Sequence, residues 1–311
     1  MILVTGASGY LGSQVLLGLL SGNVPLRALK REKSILPSSL TQPESGIEWV
    51  DSDLGDIMSL SEALKGVDQV IHCASARYDK DFQVAEIFRT NIDGTANLVN
   101  LCLDFKIRRF IYVSSSVTLG IKEGEDMEYV SLLNDFNDSR SPHVFAKIES
   151  EKEVWRGIME GLPALVVNPG LILSEWSQSG NNIHLKSLYS QGSDYYFKRS
   201  FGIIGMEDFV ETLLDLLNSD REGEQYLLSA ENIQSADLIG HINQKLGLAK
   251  PRILYKNRVW KIPFLKENTV EIRNKSGIRE LYRMVEGMIP LTPSLNHPLS
   301  GKPFKKLNEL F

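Results

Sequence analysis

The chain has 311 residues, of which 42% are hydrophobic and 23% charged, so its composition is that of a globular protein with a sizeable core. Its 34 basic and 39 acidic residues give a formal charge of -5, and the sequence has no run of lysines and arginines of the kind that binds a nucleic-acid backbone. Nucleic acid is therefore not an expected partner.

Cysteine usage and hydropathy bear on the cellular setting. Cys73 and Cys102 are too far apart for a CxxC pair and lie in apolar surroundings, which indicates reduced thiols and a cytoplasmic protein. Residues 1–5 already form a predicted strand, and no apolar stretch is long enough to cross a bilayer. We therefore expect neither a targeting segment nor a membrane anchor, and no metal site is predicted.

The first half alternates short apolar runs with segments of helical periodicity, a pattern typical of repeated βαβ units. The predicted strands are 2–5, 26–29, 48–50, 69–73, 110–114 and 164–168. The predicted helices are 12–20, 59–64, 88–105 and 145–159. Six parallel strands predict an α/β fold of the Rossmann type, with a doubly wound parallel sheet that binds ligands at the carboxyl ends of its strands.

The regular alternation stops after Pro169-Gly170. It resumes with a predicted helix at 206–218, a strand at 225–229 and a helix at 236–246. We predict a main domain at 1–170 that the chain rejoins at about 202–231. Residues 171–201 and 232–311 would form a smaller C-terminal substrate lobe.

The segment from Val4 to Gly12 reads VTGASGYLG and places three glycines between the first strand and the first helix. Gly6 would permit the tight turn, Gly9 would let a diphosphate approach the backbone, and Gly12 would allow the helix to pack closely on the strand. The helix N-terminus offers N–H donors to an anion, so we expect Ser8, Tyr10 and Leu11 to line the site with the glycines. The motif predicts a nicotinamide dinucleotide site.

The end of the second predicted strand decides between NADP and NAD. Lys30 and Arg31 stand where an acidic residue would hold the ribose of NAD, and both can bind a 2′-phosphate by donating charge-assisted hydrogen bonds. NADP is therefore favoured, while Glu32 leaves a route to NAD. After the third strand, Asp53-Leu54 is placed to meet the adenine amino group, although Asp53 could equally cap the helix that follows.

Several segments together resemble the extended short-chain dehydrogenase/reductases, of the NAD(P)-dependent epimerase/dehydratase family. They are the glycine motif, Asp53, His72-Cys73-Ala74-Ser75, Asn91-Ile92-Asp93-Gly94-Thr95, Tyr112-Val113-Ser114-Ser115-Ser116 and Asn168-Pro169-Gly170. The likeness is greatest to the branch of dihydroflavonol reductases, hydroxysteroid dehydrogenases and nucleotide-sugar epimerases. It runs from residue 1 to about residue 231 and fades beyond that point.

In that family a serine binds the substrate oxygen, a tyrosine protonates it, and a lysine four residues after the tyrosine lowers the tyrosine pKa and holds the ribose. The resemblance assigns the serine to Ser115, with Ser116 as its neighbour, and the lysine to Lys147. His143 stands in place of the tyrosine. It shares a helix face with Lys147, and the nearby ammonium keeps its imidazole neutral, which weakens it as an acid. A neutral imidazole can still donate one hydrogen bond.

The resemblance implies further contacts to the cofactor and the substrate. Cys73, Ala74 and Ser75 would run past the nicotinamide ribose, Asn91 would tie its helix to the active-site strand, and Pro169-Gly170 would offer backbone to the carboxamide. The residues that fall where the family places substrate contacts are Arg77, Tyr78, Ser116, Trp176 and His184. The family often pairs subunits through the two helices that here span 88–105 and 144–159, which implies a homodimer.

The sequence favours an oxidoreductase that moves hydride between NADP and a carbonyl or alcohol. A protein that binds the dinucleotide without turnover, as a sensor or scaffold, is the first alternative, because the tyrosine is absent and Glu207 stands where this branch often has arginine. A nucleotide-sugar epimerase or dehydratase is the second. It needs the same acid/base group and usually an acidic ribose partner, so both departures count against it.

Overall fold

The computed structural model describes residues 1–22, 24–42, 46–76, 84–122, 128–131, 142–174, 185–253, 281, 285, 288 and 303–310. Its strands are β1 (Ile2–Thr5), β2 (Leu26–Lys30), β3 (Ile47–Asp51), β4 (Gln69–His72), β5 (Arg109–Val113), β6 (Leu119–Lys122), β7 (Glu128–Ser131), β8 (Ala164–Pro169), β9 (Leu171–Leu173), β10 (Tyr195–Tyr196), β11 (Ser200–Gly205), β12 (Glu224–Leu228), β13 (Glu231–Gln234) and β14 (Arg252–Ile253).

The helices are α1 (Tyr10–Leu19), α2 (Ile57–Leu64), α3 (Val84–Phe88), α4 (Gly94–Asp104), α5 (Pro142–Met159), α6 (Lys186–Gln191), α7 (Met206–Leu217), α8 (Ser235–Lys245) and α9 (Leu307–Leu310). Single 3₁₀ turns occur at Ser38–Leu40 and Ser116–Thr118. In the described parts of the chain, no helix is long and apolar enough to span a membrane.

Two compact units are distinguished. One comprises Met1–Asn168 with Val210–Leu227, and the other comprises Pro169–Phe209 with Leu228–Phe311.

The first unit is built on a seven-stranded sheet in the order β12-β8-β5-β4-β1-β2-β3. The pairings of β1 with β2 and β4, of β2 with β3, of β4 with β5 and of β5 with β8 are all parallel. The strand order reverses at β1, the point at which a doubly wound sheet binds its ligand. The prediction of a Rossmann-type α/β fold is confirmed, and β12 is an edge strand of the same sheet.

The core of this unit explains why its apolar runs become strands and its periodic segments become helices. Every residue of β1 and β5 is buried. Residues of α2, α4 and α5, among them Leu60, Leu98 and Val154, share one apolar cluster with Phe110 and Tyr112 of β5. Burying large apolar side chains contributes about 1.5–3 kcal/mol each, so this cluster holds the carboxyl ends of the strands in fixed positions.

The segment predicted as one helix at 88–105 is divided in the structure. A π-helical turn at Arg89–Asp93 separates α3 from α4. Such a turn inserts one extra residue and often marks a functional position. Here it turns Asn91 toward the loop after β4. Apolar spacing alone predicts a continuous α-helix and therefore misses this turn.

The second unit has its own core and a three-stranded sheet in the order β13-β11-β9. Leu173, Leu188, Phe201 and Ile239 lie in one buried cluster with Leu310 of α9. The C-terminal segment is also held by charge, because the Lys305 ammonium pairs with the Glu207 carboxylate at 2.7 Å. Glu207 therefore forms an exposed ion pair with the C-terminal segment.

Candidate functional site

The turn between β1 and α1 requires glycine at two of its three glycine positions. Gly6 has φ +66°, and a Cβ there would lie 2.7 Å from the Ala74 backbone. A Cβ on Gly12 would overlap the Gly6 carbonyl oxygen. Both observations agree with the roles predicted from the sequence, a tight turn at Gly6 and close packing at Gly12.

Gly9 differs from the other two glycines. Its backbone is extended, with φ -80° and ψ 167°, a conformation that any residue adopts. It is exposed, and the nearest atom to a Cβ built there is the Gly6 carbonyl oxygen at 3.1 Å. Glycine at this position is therefore needed less by the protein's own packing than by whatever approaches the turn.

The start of α1 is suited to an anion. Gly9 is the N-cap and brings no side chain to the helix, and the first turn contains no acidic residue. The first N–H groups of a helix lack partners within it, and the helix dipole adds positive potential at that end. Ser8, Tyr10 and Leu11 surround this N-terminus, which fits the diphosphate of a dinucleotide.

A buried histidine that the sequence did not single out as functional connects this turn to two other elements. The Nδ1 atom of His72 lies 2.6 Å from Thr5 Oγ1 and its Nε2 atom lies 2.9 Å from Thr95 Oγ1. The Ala74 N–H donates to the same Thr5 hydroxyl at 3.2 Å. Burial, aided by the Lys147 charge, lowers the pKa of His72 to about 3, so its ring is neutral.

The loop after β4 carries three residues predicted to pass the nicotinamide ribose, Cys73, Ala74 and Ser75. Ala74 packs against Gly6, so the loop and the glycine turn lie together. Burial raises the pKa of the Cys73 thiol to about 12, and it stays protonated. The Ser75 hydroxyl oxygen is buried and has no hydrogen-bond partner among the residues described.

Asn91 has a different partner from the one expected. Its side chain accepts from the Ala76 N–H at 2.6 Å and donates to the Ala76 carbonyl at 2.9 Å. Its own carbonyl accepts from Ser150 of α5 at 2.7 Å. The prediction that Asn91 ties its helix to the active-site strand is therefore wrong: its amide matches the backbone of the loop after β4 and fixes that loop.

Beyond β2 and β3 lies an open cavity of about 570 Å³. Its lining consists of Arg31, Glu32, Lys33, Ser34, Asp51, Ser52, Asp53, Asp56 and Ser59. Lys30, predicted to bind a 2′-phosphate, is instead paired with Asp51 on the neighbouring strand. Arg31 is exposed on the cavity side, so the two predicted cations have different surroundings.

Asp53 and Leu54 also differ from each other. The Asp53 carboxylate accepts from the Gly55 N–H at 2.8 Å and lies in the cavity, while Asp56 caps α2. The interpretation of Asp53 as the helix cap is therefore wrong. Leu54 is buried in the apolar core, and its carbonyl accepts from Asn97 at 3.0 Å, so only Asp53 presents a side chain to the cavity.

The end of β5 brings together the predicted catalytic residues of this unit. Lys147 is buried in α5, donates to the Val113 carbonyl at 3.1 Å, and lies 5.2 Å from the centre of the Tyr112 ring. Ser115 follows Val113 by two residues and caps the 3₁₀ turn. His143, half-buried, lies one helical turn before Lys147.

Ser116 and the Pro169-Gly170 segment complete the set of predicted residues. The Ser116 side chain is fully buried, and its hydroxyl has no partner in the described part of the chain. The Gly170 N–H donates to the Leu228 carbonyl at 2.9 Å, and the contact predicted between the Pro169-Gly170 backbone and a carboxamide stays a prediction. Arg77, Tyr78, Trp176 and His184 lie outside the described residues.

Comparisons with known proteins agree with this geometry. The model of the NAD dependent epimerase/dehydratase family matches residues 2–191. Sterol demethylase protein B of Methylococcus capsulatus is 27% identical over 269 residues, which cover 85% of this chain and 80% of that protein. A putative dihydroflavonol 4-reductase of Synechocystis sp. is 25% identical over 258 residues, which cover 80% and 73%.

The fold is matched as well. The crystal structure of gox2253 superposes with a TM-score of 0.75 and is 25% identical, covering 100% of this chain and 95% of that one. The family model includes the glycine turn, the loop after β4, the end of β5 and the helix that carries Lys147. The chain therefore belongs to the NAD dependent epimerase/dehydratase family and is of the extended short-chain dehydrogenase/reductase type.

Proposed function

We propose that the protein is an NAD(P)-dependent reductase or dehydrogenase that transfers a hydride between the nicotinamide and a carbonyl or alcohol substrate. The observation that carries this proposal is the position of Lys147. Its ammonium is buried, and it is held at the Val113 carbonyl, two residues before Ser115. Parallel sheets of this kind bind their ligands at the carboxyl ends of the strands, so this cation lies where a ligand is expected.

Each predicted residue has a distinct role in this proposal. The dinucleotide, when bound, supplies or receives the hydride. Ser115 donates a hydrogen bond to the substrate oxygen, and Lys147 holds the ribose and supplies positive potential. His143, one turn before Lys147, donates its N–H, directly or through a water, to the same oxygen. The relative named as a reductase favours the direction of carbonyl reduction.

We further propose that NADP is preferred over NAD, with Arg31 as the main contact to the 2′-phosphate. Arg31 and Lys33 line the cavity beyond β2, where charge-assisted hydrogen bonds to a phosphate can form. Asp51 competes for Lys30, and the carboxylates of Glu32, Asp53 and Asp56 lower the advantage of a dianionic phosphate. We therefore expect a modest preference.

The proposal is tested by following reduced-nicotinamide absorbance with a broad panel of carbonyl compounds. His143→Tyr should raise activity, or create it, by about a hundredfold to ten-thousandfold, because the phenol enters beside Ser115 and Lys147. Lys147→Met should abolish turnover. Lys152→Met is the matched control, since Lys152 lies on the same helix and its ammonium pairs with the Glu149 carboxylate at 2.7 Å.

Two other results discriminate among the alternatives. If His143→Tyr loses activity and the unmodified protein shows a group titrating in the histidine range, His143 is itself the proton donor. If the unmodified protein, His143→Tyr and His143→Ala all leave reduced cofactor unconsumed, the oxidoreductase proposal fails and a dinucleotide-binding sensor or scaffold replaces it.

A homodimer through α4 and α5 remains a proposal that rests on the family resemblance, and light scattering tests it.

A further inference from the structure

A buried carboxylate lies behind the turn that carries Ser115. Glu151, one helical turn after Lys147 in α5, has no exposed surface. Its Oε2 atom accepts from Ser114 Oγ at 2.5 Å, Thr118 Oγ1 at 2.8 Å and Asn168 Nδ2 at 3.0 Å. Its Oε1 atom accepts from Trp155 Nε1 at 3.3 Å and Gln225 Nε2 at 3.1 Å.

These contacts require an acceptor at both oxygens of Glu151. All five partners are neutral groups, and the three nitrogen atoms among them can only donate. A carboxylate offers about four lone-pair directions, which suits this arrangement, whereas a side-chain amide would turn an N–H toward another N–H on one side. These hydrogen bonds offset the cost of burying the polar end of the Glu151 side chain.

The same partners hold the backbone of Ser115. Its carbonyl accepts from Asn168 Nδ2 at 3.1 Å, and Thr118 Oγ1, whose one proton is donated to Glu151, lies 3.0 Å away. Its hydroxyl accepts from the Val117 N–H at 3.4 Å. Asn168 and Thr118 are both bonded to Glu151, and Asn168 is fixed further by Gln225 of β12 at 3.0 Å. The position of Ser115 therefore depends on elements far apart in the chain.

We infer that Glu151 is a positioning residue for Ser115, whose carboxylate fixes the turn so that the Ser115 hydroxyl meets the substrate oxygen. This inference rests on the proposed function, in which Ser115 binds that oxygen. Glu151 itself lies inside the protein and acts through Thr118, Asn168 and Ser114. A small displacement of a hydrogen-bond donor at a reacting centre lowers the rate much more than it lowers binding.

The test compares Glu151→Gln, which keeps the side-chain volume, with Glu149→Gln, a half-buried residue of the same helix whose carboxylate pairs with Lys152. For Glu151→Gln we expect kcat to fall by about 10- to 100-fold, with the KM for the dinucleotide unchanged. Glu149→Gln should leave both constants unchanged. In the double variant with Ser115→Ala, the loss should equal that of Ser115→Ala alone, because both changes remove one contact.

Amide hydrogen exchange provides a measurement that does not depend on turnover. In Glu151→Gln, exchange at residues 114–118 should be faster than in Glu149→Gln, while exchange in α1 stays the same. Exchange equal to that of the control, or uniformly faster across the protein, overturns the inference, as do additive losses in the double variant. If the unmodified protein consumes no cofactor, the proposed function fails and exchange alone decides the role of Glu151.

Discussion

The turn after β1 and the turn after β5 lie at the same edge of one parallel sheet but are built in different ways. The first depends on main-chain geometry, because Gly6 and Gly12 leave no room for a Cβ against nearby backbone. The second depends on side chains, because Asn168 donates to the Ser115 carbonyl and Glu151 accepts from both Asn168 and Thr118. The glycine turn thus depends on residues close together in the sequence, whereas the position of Ser115 depends on residues far apart in it.

The largest expected effect separates the two kinds of glycine in the first turn. Gly9→Val should abolish dinucleotide binding while the protein still folds, because the extended backbone at Gly9 accepts a side chain that would fill the space of the diphosphate. Gly12→Val should destabilise the fold itself, because its side chain would overlap the Gly6 carbonyl. Calorimetric titration with the dinucleotide and thermal unfolding measure the two effects.

Two results would contradict the distinction between Gly9 and Gly12. Normal cofactor binding by Gly9→Val would show that the turn is not a diphosphate site. Equal loss of thermal stability in both variants would show that Gly9 is needed for packing, and the distinction drawn between the glycines would then be wrong.

The same contrast explains what the sequence could predict. Short-range periodicity predicts the order of strands and helices, and the structure has the predicted fold. The glycine turn and the His143-Lys147 spacing are local motifs that can be found by inspection of the sequence. The bridge from Thr5 through His72 to Thr95 joins residues 67 and 23 positions apart, and no local pattern reports it. Glu151 reads in the sequence as one more acidic residue on a charged helix.

His72 tests whether the first turn also depends on distant contacts. Because the folded-state pKa of His72 is near 3, the unfolded chain binds its proton more readily between about pH 6.5 and pH 3. The stability that His72 contributes is thus complete above about pH 6.5 and is lost as the pH falls. From pH 7 to pH 5 the loss should be about 2 kcal/mol.

Urea unfolding of the unmodified protein and of His72→Gln at these two pH values measures that loss. The free energy of unfolding of the unmodified protein should decrease more steeply than that of the variant, by the stated amount. Parallel decreases would mean that His72 is protonated in the folded state or that its ring is not buried. The link between β1, β4 and α4 would then not depend on a neutral imidazole.

The smallest expected effect concerns cofactor preference at the cavity beyond β2. There a residue distant in the sequence changes the charge that two adjacent residues offer to a phosphate. Lys30 and Arg31 are adjacent in the chain and predict a 2′-phosphate site, but Asp51 on β3 pairs with Lys30. Exposed pairs of this kind are worth at most about 1 kcal/mol, so Asp51→Asn should raise the NADP preference by no more than about fivefold. Glu48→Gln, on the same strand but paired with Arg27, is the control and should leave the preference unchanged.

Arg31→Glu should reverse the order of affinity, because it removes the exposed cation that faces the cavity and adds a charge that repels the phosphate. Dissociation constants for both dinucleotides, measured at one ionic strength because exposed charges are screened by salt, decide the matter. Equal constants for NADP and NAD in the unmodified protein would show that the carboxylates around the cavity cancel the charge of Arg31, and that the residue pair read from the sequence does not select the cofactor.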